Sequence, residues 1–85
     1  NYPNPFNPRT TIKYSIAAST KENFRTVQLN IYDVLGEKVA TLVNELKSPG
    51  GYEITFDASR LTSGIYFYRL SYGNKSLSRK MLLIK

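Results

Sequence analysis

The sequence predicts an all-β protein, an immunoglobulin-like antiparallel β-sandwich of six to seven short strands. Three observations carry this. The apolar segments alternate with period two, and none has a convincing period of 3.6. Turn signals separate them at short, regular intervals. The chain has 85 residues and no cysteine, enough for one small domain of two packed layers around a modest core.

The elements follow in order. "NYPNPFNPRT" carries three prolines, which fix φ and remove backbone donors, so residues 1–9 are expected to be a Pro-rich linker entering a first edge strand. Residues 10–85 are expected to form the sandwich. "TIKYSI" places Ile12, Tyr14 and Ile16 on one face, and "AASTKEN" is a polar loop. "FRTVQLNIYDV" is the clearest strand, with Val27, Leu29 and Ile31 on one side and Gln28, Asn30 and Tyr32 on the other. "DVLG" fits a type I turn begun by Asp33, with Gly36 free to take the αL position of a G1 bulge. "KVATLV" is its partner strand. "NELKSPGG" breaks the pattern, and Pro49-Gly50 suits the centre of a type II turn. "YEITFD" alternates again. "ASRLTSG" is too short for a helix and too polar for a strand, and Leu61 is expected to dip into the core.

The last two segments, "IYFYRLSY" and "KSLSRKMLLIK", flank Gly73-Asn74, a two-residue loop suited to a type II′ turn. That loop sets the register: Leu70 opposite Leu77, Tyr68 opposite Arg79, Tyr66 opposite Met81, Gly64 opposite Leu83. This side is expected to face the core. The other side then carries Ile65, Phe67, Leu82 and Ile84, with Arg69 and Lys80 among them. A sheet face that should be wet but is apolar is a candidate docking surface, unless Tyr2 or Phe6 of the N-terminal segment covers it.

Charge is distributed unevenly. Residues 1–59 hold six bases and six acids, whereas residues 60–85 hold six bases and no acid, so the whole net charge of +6 lies in the last third. Such a field steers anionic partners. Nucleic acid is the weaker candidate, because Tyr14, Tyr52, Tyr66 and Tyr68 fall at core positions, where packing explains them. With no His and no Cys, the usual nucleophile–base pairs are missing, and the six carboxylates are scattered over turns and strands. No enzyme, metal site or cofactor is expected, and no stretch approaches the roughly 18 apolar residues of a membrane span. The chain opens on Asn1, with no signal peptide, and reads as a segment of a longer protein.

Four stretches in order, "NYPNPFNP", "IYDVLGEKVATLV", "FDASRLTSGIYFYRL" and "KMLLIK", resemble the C-terminal sorting domain (type A) of type IX secretion cargo. Part of the pattern is also similar to the immunoglobulin-like domain of flagellar hook-capping proteins. The resemblance implies a non-catalytic label on a secreted cargo domain upstream in the same chain. It implies transit through the periplasm, reading by an outer-membrane translocon, and a cell-surface or extracellular destination. In many members a sortase-like peptidase removes the label and a lipopolysaccharide anchor replaces it. The translocon-recognition strand maps onto Lys80, Met81, Leu82, Leu83, Ile84 and Lys85. The family's turn and corner motifs map onto Asp33 and Gly36, and onto Leu61, Gly64 and Tyr66. These five also have a purely structural reading as turn and corner residues. The competing expectation is a retained immunoglobulin-like module with a structural, adhesive or self-assembling role.

Overall fold

A computed structural model of the chain describes residues 9–18 and 24–84. Six strands appear in these residues: β1 (Arg9–Ile16), β2 (Arg25–Tyr32), β3 (Lys38–Lys47), β4 (Gly50–Asp57), β5 (Gly64–Tyr72) and β6 (Lys75–Leu83). All pairings are antiparallel. One sheet has the order β3-β2-β5-β6, and the other is the pair β1-β4. The first order matches the C′-C-F-G sheet of an immunoglobulin fold, and the second matches its B-E pair. The expected all-β sandwich is therefore present. Arg9 already belongs to β1, and residues 1–8, with Tyr2 and Phe6, lie outside the described residues.

The core sits between the sheets and follows from alternation. Val27, Leu29 and Ile31 of β2 are completely buried. They meet Ile12, Tyr14 and Ile16 of β1, Val43 of β3, and Tyr66, Leu70 and Tyr72 of β5. Burying each of the three β2 side chains contributes roughly 1.5–3 kcal/mol. The rings of Tyr14 and Tyr52, directly opposed on β1 and β4, stack with centroids 5.4 Å apart. Burial pushes the Tyr14 hydroxyl above its ordinary pKa.

β3 departs from simple alternation. A bulge lets Leu29 pair with Val43 while Asn30 pairs with Thr41. The extra residue, Leu42, packs against the core beside Val43, so two consecutive apolar residues face inward.

The segment after it corrects the sequence reading. β3 does not break at Asn44 but runs to Lys47, and Gly50 opens β4 with φ +146° rather than the roughly +80° of a type II turn. The reason is topological: Ser48-Pro49 carries the chain from one sheet to the other and closes no hairpin. Tyr52 secures this crossing by donating its hydroxyl to the Ser48 carbonyl at 2.6 Å. Lys47 lies 4.7 Å over the Tyr52 ring and 3.3 Å from Glu45, whose hydrogen bond holds its ammonium above the ordinary pKa.

Leu61 packs half-buried against the core, but the completely buried residue of its loop is Ala58. Leu61 N–H donates to the Ala58 carbonyl at 3.0 Å, which turns the chain back towards β5. The β5–β6 register is the one the two-residue loop dictates, from Leu70 opposite Leu77 to Gly64 opposite Leu83. Gly73 has φ +60° and Asn74 has a negative φ, the signature of a II′ turn. The core side of β6 is less sealed than expected. Leu83 is buried and Met81 half-buried, but Leu77 is 57% exposed and Arg79 is exposed. Among the described residues, two strands face four and leave this part of the inner face open.

Asn30 is the one buried polar residue among those described, 7% exposed, and its Oδ1 has no hydrogen-bond partner. Leaving an acceptor unpaired costs about 1–3 kcal/mol. Asn30→Val should therefore stabilise the domain by about 1 kcal/mol, whereas Leu29→Ala should cost about 2–5 kcal/mol. Urea unfolding followed by circular dichroism checks both.

Candidate functional site

The β5–β6 hairpin presents two different faces because strand side chains alternate. Tyr66, Leu70, Met81 and Leu83 point inward. Ile65, Phe67 and Arg69 of β5 point outward and stand directly opposite Leu82, Lys80 and Ser78 of β6. This outer face is open: Ile65 is 42% exposed, Phe67 37%, Leu82 65% and Ile84, just past the strand, 74%. The six residues of the expected recognition strand are thus divided. Lys80, Leu82 and Ile84 are outward, Met81 and Leu83 inward, and Lys85 lies outside the described residues.

Among the described strands β6 is also an edge, with β5 on one side and nothing paired on the other. Tyr72–Lys75 is the closing hydrogen-bonded pair of the II′ loop, and antiparallel ladders alternate. The free N–H and C=O groups therefore belong to Ser76, Ser78, Lys80 and Leu82, the residues whose side chains face outward.

The Asp33 turn borders the same face. Asp33 Oδ1 accepts the N–H groups of Leu35 and Glu37, each at 2.9 Å. Gly36 N–H donates to the Asp33 carbonyl at 3.0 Å, and Gly36 has φ +85°, where any side chain is strained. This rigid turn and the outer face enclose a cleft of about 340 Å³ lined by Tyr32, Asp33, Val34, Gly36, Phe67, Arg69 and Ser78. Tyr32 and Val34 were not singled out from the sequence. Tyr32 was legible in principle, because its strand parity places it opposite Phe67.

Leu61, Gly64 and Tyr66 do not join this face. Gly64 opens β5 opposite Leu83. Tyr66 points inward and donates its hydroxyl to the Thr62 carbonyl at 2.8 Å, a tyrosine corner at the entry to the F-like strand. Nearby, the Ser59 N–H bonds Asp57 Oδ1 at 3.0 Å and holds that carboxyl below its ordinary pKa. Among the described residues no group of His, Cys, Asp or Glu could hold a metal ion, and no helix is long and apolar enough to cross a membrane.

The described strands form the all-β sandwich that the resemblance implies. The family model of the secretion system C-terminal sorting domain matches residues 1–85. This chain belongs to that family. Searches of curated proteins and of solved structures found no match. The sorting domain is a signal for type IX secretion, which implies attachment to a cargo domain, contact with the secretion machinery and a cell-surface or extracellular destination.

The turn and the corner act in this sorting domain as structure. Asp33→Ala should destabilise it by about 1.5–3 kcal/mol, and Asp33→Asn should recover most of that because an amide oxygen accepts the same two N–H bonds. Tyr66→Phe should cost about 0.5–1.5 kcal/mol. Thermal unfolding measures all three.

Proposed function

We propose that the secretion machinery reads the outer face of the β5–β6 hairpin together with the free edge of β6. The carrying observation is that Ile65, Phe67, Leu82 and Ile84 are exposed together on a face the core does not need, with Lys80 and Arg69 among them. Contiguous apolar surface of this kind marks interaction sites, and flanking cations fix the orientation of an incoming partner. Lys80 and Lys85 set that orientation, while Met81 and Leu83 hold the strand to the core.

In this reading the domain is an address label and not a catalyst. It passes through the periplasm, and its partners are the outer-membrane translocon and then a sortase-like peptidase, which releases the cargo to a lipopolysaccharide anchor. Nucleic acid is not a partner in this reading, because packing accounts for the buried Tyr14 and Tyr66.

Leu82→Glu and Ile84→Glu, singly or together, replace exposed side chains and should leave stability nearly unchanged. Secretion of a fused reporter should nevertheless fall at least about tenfold, the factor given by roughly 1.4 kcal/mol of lost docking energy. Lys80→Glu with Lys85→Glu should do the same. Normal export of these folded variants would refute the reading.

A further inference from the structure

We propose that Arg69 is the carboxylate-recognising residue of the outer face, and that its ligand is an acidic side chain on an extended segment of a partner protein that adds as a strand to the free edge of β6. This rests on the reading of the outer face as a docking surface and adds the chemistry of what docks there.

Arg69 sits near the middle of the face. It stands opposite Asn30 on β2 and Ser78 on β6. Its guanidinium is held in place from two sides. The ring of Tyr32 lies beneath it at 5.2 Å, and its Nε–H donates to Ser78 Oγ at 3.4 Å. These contacts leave its terminal amino groups, the two-pronged end that fits a carboxylate, without a carboxylate partner among the described residues. A guanidinium already oriented by a ring contact and one hydrogen bond has less rotamer freedom left to lose on binding.

The surroundings select the ligand. The cleft beside Arg69 has apolar walls from Tyr32, Val34 and Phe67. One carboxylate, Asp33, also lines it, but its Oδ1 is already bonded to two backbone N–H groups. Lys80, one pleat along β6 from Ser78, adds a second cation on the same face. Residues 60–85 contain no acid at all, so the hairpin itself supplies no charge to complement Arg69 and Lys80. A second copy pairing β6 to β6 would bring like charges together, which disfavours self-association at this edge.

Strand addition supplies the geometry. Neighbouring strands lie about 4.8 Å apart, so an added strand would run roughly 10 Å from β5, with Ser78 between. Serine is short. A Glu on the added strand opposite Ser78 can reach over it to the Arg69 fork, while the residues two positions to either side of it lie opposite Ser76 and Lys80 on the same face.

The test uses the whole 85-residue chain, labelled with ¹⁵N, and two blocked peptides, acetyl-Thr-Val-Glu-Val-Thr-amide and the same peptide with Gln for Glu. The expected result is that the Glu peptide shifts the Arg69 Nε–H and the amides of Ser78 and Lys80. It should bind about tenfold more tightly than the Gln peptide, and raised salt should shrink the difference. Arg69→Gln should abolish the preference with the fold intact, and Arg69→Lys should keep only part of it. If both peptides bind the β6 edge alike, the carboxylate assignment is overturned while the docking reading stands. If the shifts fall elsewhere, or if a second copy or residues 1–8 occupy the edge in the free protein, the inference is overturned. Export of the reporter by the Leu82→Glu and Ile84→Glu variants judges the docking reading separately.

Discussion

The fully buried row of Val27, Leu29 and Ile31 is the constraint on which the rest of this sorting domain depends. β2 is paired on both sides, to β3 and to β5, and its inward side chains fill the space under the β1–β4 pair. A strand so placed fixes the positions of all its neighbours at once, because moving its register by one residue would turn the apolar row out to water. The bulge at Leu42 shows how strong the demand is: β3 gives up regular pairing so that both Leu42 and Val43 reach the core.

The same arrangement creates the exposed outer face. Among the described residues, a four-stranded sheet faced by two strands is covered over most of its inner side and exposes Ile65, Phe67, Leu82 and Ile84 on its outer side. β6 buries only Leu83 fully and Met81 in part, so much of its sequence is free to serve something other than packing. Met81 and Leu83 attach it. Lys80, Leu82 and Ile84 are then available to a partner, and so is the outward-directed backbone of the strand edge. An exposed apolar edge is ordinarily an aggregation hazard, and the cations along it are the usual protection. In a sorting signal the same cations can also orient the partner, so protection and recognition need not be separate devices.

Rigidity joins the two halves of this picture. The domain has no cysteine, and its irregular segments are secured by local hydrogen bonds instead. Asp33 closes the β2–β3 turn, Tyr52 ties the crossing between sheets, and Tyr66 ties the entry to β5. Two of these are the same device, a tyrosine hydroxyl bonded to the carbonyl four residues earlier.

The strands, their alternation and the tight turns were legible in the sequence because they are local. Period two, the Asp33–Gly36 turn and the Gly73-Asn74 loop are each decided within a few residues, and the loop also counts off the whole β5–β6 register. The apolar character of the outer face followed from that register. Other features were decided only by the tertiary structure. Pro49-Gly50 reads as the centre of a type II turn, but the chain crosses between sheets there, because which sheet a strand joins depends on partners far along the chain. Ala58 is too small to announce itself as a buried plug. Leu77 alternates like a core residue, yet it is exposed because no described strand lies over it. Tyr32 and Val34 lie far along the chain from Arg69, and the spacing between the two segments does not by itself bring them together. Local patterns determine which residues can pair or turn, whereas burial and juxtaposition depend on how the two sheets stack.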